Sequence, residues 1–210
     1  MSVMKPKIRI LIADDHAVVR AGLSTLLGTE SDIEVVAQAK NGKEAVAMAV
    51  ETQPDVVIMD LRMPEMDGAE ATAEIRRRRP EAKILVLTSF GEADGVAHAL
   101  ESGAAGAMTK TAEDAELVSV VRRVAAGEEF VSPEIKKLLH DDPPVPKLTP
   151  RQNEILGYMV KGLTNRDIAS MLSIREDTVE EHVNILLAKI DATNRTEAVS
   201  IALRKQLVQP

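Results

Sequence analysis

Over its first 130 residues the chain alternates short apolar runs with stretches of helical periodicity. Ile8–Ala13 reads Ile-Arg-Ile-Leu-Ile-Ala and stops at Asp14-Asp15; Val18, Leu23, Leu26 and Leu27 then recur at helical spacing as far as Gly28. Ile33–Ala37 forms a second strand-length run, and Asn41-Gly42 opens a helix through Ala45, Val46 and Ala49. The run Asp55–Met59 ends at Asp60, and Met63-Pro64 and Gly68 break the chain before a helix from about Asp67 to Arg78. Ile84–Leu87 ends in Thr88-Ser89, a helix covers Ala93 to Ser102, and Gly103–Met108 ends in Thr109-Lys110 before a last helix over Ala112–Ala126. Strands alternating with helices predict an α/β doubly wound fold, a five-stranded parallel sheet covered on both faces. Right-handed crossovers put all the strand C-termini along one edge.

The pattern changes after that unit. The run Leu139-His140-Asp141-Asp142-Pro143-Pro144-Val145-Pro146 reads as a linker, because closely spaced prolines block helix and favour an extended segment. Thr149-Pro150-Arg151-Gln152 is then a capping box with proline at the first helical position. Ile155, Leu156, Met159 and Val160 make a helical stripe that ends near Gly162. Thr164-Asn165 starts a short helix with Ile168, Ala169 and Leu172, and Val179, Val183, Leu186 and Ile190 space a third helix over Asp177–Ile190. Asn194 with Glu197 caps a fourth, packed through Ala198, Ile201 and Leu203. Two helices across the turn Ser173-Ile174-Arg175, within a small four-helix all-α unit, suggest helix-turn-helix. The boundaries read as 5–127 for the α/β domain, 128–146 for the linker and 147–208 for the helical domain. Met1–Val3 are expected to be dispensable.

Composition narrows the chemistry. The 210 residues are 45% hydrophobic, which supports packed cores and argues against disorder. The absence of cysteine removes disulfides, thiolate metal sites and thiol nucleophiles, and gives a cytoplasmic location as the expectation. No apolar run approaches the ~18 residues of a membrane span, so no membrane partner is expected. Residues 1–133 carry 15 Lys and Arg against 22 Asp and Glu, whereas residues 147–210 carry 9 against 8. The second domain is therefore the one suited to a polyanion, though only weakly by charge.

Asp14, Asp15, Asp60, Thr88 and Lys110 are polar residues brought to one sheet edge by the ends of buried strands. Three carboxylates there repel one another and need a cation, and oxygen donors without cysteine favour a hard ion, Mg²⁺. Such a metal prepares a carboxylate to attack a phosphoryl group, with Lys110 pairing with the phosphate and Thr88 donating to it. His16 reads as a helix-entry residue, and Arg76–Arg79 as a helix end whose cations complement the dipole.

Asp14-Asp15, Asp60 with Met63-Pro64 and Gly68, Thr88 and Lys110 together resemble the receiver domain of two-component response regulators. The resemblance implies strand order 2-1-3-4-5 and a phosphoryl group accepted on Asp60 from a histidine kinase. It also implies Mg²⁺ held by Asp14, Asp15, Asp60 and the backbone carbonyl of Arg62, with Thr88 and Lys110 sensing the phosphate. Such receivers usually carry Tyr or Phe two or three residues before the lysine, where this chain has Gly106-Ala107-Met108. Phe90 is the nearest aromatic and reads as packing ahead of switching.

Leu148-Thr149-Pro150-Arg151-Gln152, the run Gly162–Ala169, Thr178-Val179 and His182-Val183 resemble the LuxR-type DNA-binding domain. With a receiver, the whole is similar to the NarL/FixJ class of response regulator. That resemblance implies double-stranded DNA docked against Asp177–Ile190, a homodimer promoted by phosphorylation, and RNA polymerase as a candidate partner. It implies no enzymatic activity beyond the protein's own Asp phosphorylation and dephosphorylation. Candidate DNA contacts on that helix are Thr178, Glu181, Asn184 and Lys189; those around it are Lys161, Arg166, Arg175 and Arg195. Glu180 and Glu181 depart from the cationic face that phosphates favour, although Glu can accept from cytosine N4. They motivate a rival, a phosphorylation-dependent protein-interaction module whose helical domain does not bind DNA. A phosphatase with an aspartyl intermediate fits less well, because Arg62 stands where a second acid is needed.

Overall fold

The structure is a computed structural model that describes residues 6–89, 93–145, 148–205, 207 and 208. Met1–Val3, Phe90, Pro146 and Lys147, which carry expectations above, lie outside the described residues. The chain divides into two compact units, Met1–Pro144 and Val145–Pro210.

In the first unit, strands β1 (Ile8–Ala13), β2 (Ile33–Ala39), β3 (Val56–Asp60), β4 (Lys83–Thr88), β5 (Gly106–Thr109) and β6 (Phe130–Val131) form one sheet in the order β2-β1-β3-β4-β5-β6. Every neighbouring pair is parallel. Successive side chains point to opposite faces, so the runs feed two cores. Leu11, Val57, Met59, Ile84, Val86 and Ala107 face α2 (Gly42–Thr52), α3 (Gly68–Arg78) and α4 (Ala93–Glu101). Ile10, Ile12, Val56, Ile58, Leu85 and Met108 face α1 (Ala17–Gly28) and α5 (Asp114–Ala125). All five residues of β3 are buried, and each of its large apolar side chains contributes about 2 kcal/mol.

The predicted order 2-1-3-4-5 is present, with a sixth strand added at its end. Residues 128–146 are correspondingly less of a linker than the prolines suggest. Phe130 N–H donates to the Ala105 carbonyl and Ser132 N–H to that of Ala107, both at 3.0 Å. Gly106 permits this approach, since a Cβ there would lie 2.6 Å from the Phe130 carbonyl oxygen. Buried Ser132 then caps α6 (Pro133–Asp141), accepting from Ile135 N–H at 3.3 Å, with Pro133 at the first helical position. Ile135 is fully buried in the same core as Ala107, and Leu138 and Leu139 pack beside it. Only the stretch after Asp141 is left to connect the units.

The second unit is all helical: α7 (Pro150–Val160), α8 (Asn165–Leu172), α9 (Glu176–Lys189) and α10 (Arg195–Arg204). Thr149 with Gln152, and Thr164 with Asp167, form reciprocal capping boxes, and Asn194 accepts from Glu197 N–H. Ser173 takes a left-handed φ of 52° and turns the chain from α8 into α9. Ile155, Leu156, Ile168, Val179, Val183, Leu186 and Ala198 close one core.

Candidate functional site

Parallel strands deliver four of the predicted residues to one edge of the sheet. Asp14 follows β1, Asp60 ends β3, Thr88 ends β4 and Lys110 follows β5. Asp14, Asp60 and Thr88 are buried, whereas the Asp15 side chain keeps 34% of its exposure. The Lys110 ammonium donates to Asp14 Oδ2 at 2.7 Å and lies 2.9 Å from Asp60 Oδ1. Partial burial pulls the Lys110 pKa down, but hydrogen bonds and charge from Asp14 and Asp60 outweigh it and raise the pKa above the usual lysine value.

Backbone N–H groups hold the carboxylates as well. Leu61 donates to Asp60 Oδ1 at 2.9 Å and His16 to Asp14 Oδ1 at 2.7 Å. His16 is the residue before α1, as expected for a helix entry, and its exposed ring has Nδ1 2.7 Å from Asp15 Oδ1. Ligand atoms of Asp14, Asp15, His16 and Asp60 all lie within 4.8 Å of one another. The three carboxylates are the hard-oxygen part of that set and fit a Mg²⁺-like ion better than a soft one. Arg62 is exposed two residues beyond Asp60. Thr88 turns its hydroxyl to the Ser89 carbonyl at 3.0 Å.

The loop after Asp60 is pinned by residues that sequence reasoning did not single out as positioning groups. Gly68 N–H donates to the Leu61 carbonyl at 2.9 Å, and a Cβ on Gly68 would fall 2.1 Å from the Asp60 carbonyl oxygen. Glu65 sits in the left-handed region at φ 68°, which costs about 1 kcal/mol for a residue with a Cβ. Asn41 Nδ2 donates to Glu65 Oε1 at 3.2 Å, and Gly42 N–H to the Met66 carbonyl at 3.2 Å, so the start of α2 holds this turn. Arg20 donates to the Asp14 carbonyl at 2.7 Å. The Asn41-Gly42 helix start was legible; its reach across 24 residues was not.

Arg76–Arg79 is a helix end, as expected. Arg77 and Arg78 pair with Glu74, Arg76 donates to the Ala82 carbonyl, and Arg79 to that of Ala49.

In the second unit the eight candidate DNA contacts separate into two groups. Lys161, Arg166, Arg175, Glu181 and Asn184 are exposed, and Thr178 is partly so. Lys189 instead donates to Gln152 Oε1 at 3.2 Å, and Arg195 donates to Asn165 Oδ1 at 3.1 Å and to the Leu163 carbonyl. Partial burial lowers the Arg195 pKa, and its guanidinium ties α8 to α10. Both residues thus brace the helical core. Arg175 precedes α9 without a side-chain cap and pairs with exposed Asp177 at 2.9 Å.

Residues 10–122 match the family model for the response regulator receiver domain, and residues 146–202 that for bacterial regulatory proteins of the luxR family. The chain is 40% identical over 207 residues to the response regulator protein VraR of Staphylococcus aureus (strain Mu3 / ATCC 700698), covering 96% of this chain and 99% of the relative. Among solved structures it is similar to the response regulator ChrA of a heme-sensing two-component system, at 33% identity and TM-score 0.59, covering 97% of this chain and all of the other. A LuxR-family response regulator from Aurantimonas sp. SI85-9A1 is 37% identical with TM-score 0.61, over 64% of this chain and 96% of the other.

Proposed function

Because the chain belongs to the NarL/FixJ class of two-component response regulators, a receiver joined to a LuxR-type helix-turn-helix domain, we propose that it is a cytoplasmic regulator switched by phosphorylation of Asp60. A histidine kinase supplies the phosphoryl group, and the modified receiver changes its dimerisation and domain arrangement to control sequence-specific DNA binding and transcription. RNA polymerase is a candidate partner on that DNA.

The observation that carries this reading is the ammonium of Lys110 held between two buried carboxylates, Asp14 and Asp60. A carboxylate oxygen of Asp60 forms the new P–O bond as the P–N bond of a phosphohistidine breaks and the imidazole leaves with a proton. Asp14, Asp15, Asp60 and the Arg62 carbonyl would hold Mg²⁺, whose chemistry is to neutralise the phosphoryl oxygens. Lys110 then exchanges Asp60 for the transferred phosphate, a charge-assisted pair of the same kind. Thr88 turns its hydroxyl from the Ser89 carbonyl to a phosphate oxygen. Each exchange gives the phosphorylated receiver contacts that the resting one lacks, and this difference is what shifts a two-state equilibrium.

Labelling with radioactive acetyl phosphate in Mg²⁺ tests the assignment. Wild type should take up about one phosphate that is labile to alkali, and Asp60→Asn should fall to background. Undiminished labelling of the variant would reject Asp60 as the acceptor. For the DNA arm, the phosphorylated full chain should bind its own promoter region above unrelated DNA, and less as salt rises. No preference at any salt concentration would favour the protein-interaction reading.

A further inference from the structure

The exposed face of α9 carries a chemistry of its own. Val179, Val183, Leu186 and Ile190 pack into the helical core. At 3.6 residues per turn, Glu181 and Ala188 lie about 180° from that seam, with Asn184 and Ile185 on either side of them. All four are exposed. Among the described residues the side chains of Glu181 and Asn184 make no hydrogen bond or ion pair, and the cations closest in sequence are committed elsewhere, Arg175 to Asp177 and Lys189 to Gln152. The face is therefore not self-neutralised.

A bare carboxylate facing DNA is repelled by phosphate, so it is tolerated only where a base edge offers it a donor. In the major groove those donors are the amino groups of cytosine and adenine. A Glu carboxylate suits cytosine N4, and an Asn amide suits adenine N6 and N7 together. Ile185 and Ala188 supply apolar surface for a thymine methyl. Glu181 and Asn184 are three residues apart, a rise of about 4.5 Å along the helix, which spans between one and two base-pair steps of about 3.4 Å. We infer that each operator half-site presents a cytosine amino group to Glu181 and an adenine to Asn184, on base pairs one or two steps apart. The backbone is met by the exposed cations Lys161 and Arg166. This assignment rests on the DNA-binding reading above and says what that domain reads.

Selection from a randomised duplex library, with the acetyl-phosphate-treated full chain, tests it. Wild type should enrich half-sites containing that C and A. In Glu181→Gln the C position alone should drift towards A, the base a Gln amide prefers, with affinity for the wild-type site down about tenfold. Asn184→Ala should relax the A position alone. Replacing the chosen cytosine by 2-pyrimidinone, which lacks the amino group, should weaken wild type several-fold and leave Glu181→Ala unmoved. An enriched site that both variants share unchanged with wild type would overturn this assignment while leaving DNA binding intact. Enrichment of no sequence by wild type would overturn the DNA-binding reading and this assignment with it.

Discussion

Asp14 and Asp60 sit buried around one ammonium, whereas Glu180 and Glu181 stand in solvent with no ion-pair partner among the described residues. The receiver acids are part of the fold's own energetics. Removing carboxylates from water costs several kcal/mol each unless a cation meets them, so their placement constrains Lys110 and the loop that carries Asp60. The α9 acids stay hydrated and cost the fold nothing. No ion pair among the described residues fixes where they point. One pocket declares its chemistry without a ligand, and the other face declares it only against a partner.

Four measurements would break or sharpen that contrast. The largest effect is expected from Gly68→Ala, whose Cβ collides with the Asp60 carbonyl. Urea unfolding should show a loss of about 3 kcal/mol, and phosphorylation should slow by more than tenfold as the acceptor is displaced. Next, Lys110→Ala should cost about 3 kcal/mol, the low end for a broken buried pair because the side chain retains 20% exposure. Millimolar Mg²⁺ should restore most of it, since the same carboxylates then have a cation; a loss indifferent to Mg²⁺ would mean that the acids do not drive it. By contrast, Glu180→Ala with Glu181→Ala should leave stability within about 0.5 kcal/mol of wild type, and a larger loss would show that α9 needs its acids to fold.

The smallest effect concerns a partly exposed acid that does have partners. Glu74 is held down to about 2 by hydrogen bonds from Arg77 and Arg78. A depressed carboxyl contributes stability above its ordinary value of 4.5, and that contribution fades as pH falls towards about 2. Melts of wild type and Glu74→Gln should therefore differ slightly at neutral pH and converge in acid. A gap that survives at the acid end would point to packing instead.

The receiver pocket was legible because its residues stand at or just beyond the polar ends of buried runs, and parallel topology brings such ends together. The sixth strand was not, since Phe130-Val131 is too short for a period to show and the later prolines bias the whole stretch towards linker. Ser132-Pro133 with Ile135, Leu138 and Leu139 at helical spacing was the signal that could have found α6. Lys189 and Arg195 looked like free cations for a different reason. Their acceptors, Gln152 and the Leu163 carbonyl, lie 37 and 32 residues away, and only the folded bundle brings them close. Local sequence reports a charge but not its tertiary partner.

The strap formed by β6 and α6 decides where this protein can be taken apart. A fragment ending at Gly127 would keep all the strands that carry the acidic pocket, yet it would strip Ile135 from the core beside Ala107 and leave the Ala105 and Ala107 carbonyls on a raw sheet edge. Alanine at 107 offers no bulk to refill that space. Such a fragment should be less stable than its pocket suggests and prone to pair edge to edge with other copies. For chimaeras that graft this receiver onto another output domain, the portable unit ends near Pro144, and the junction belongs there.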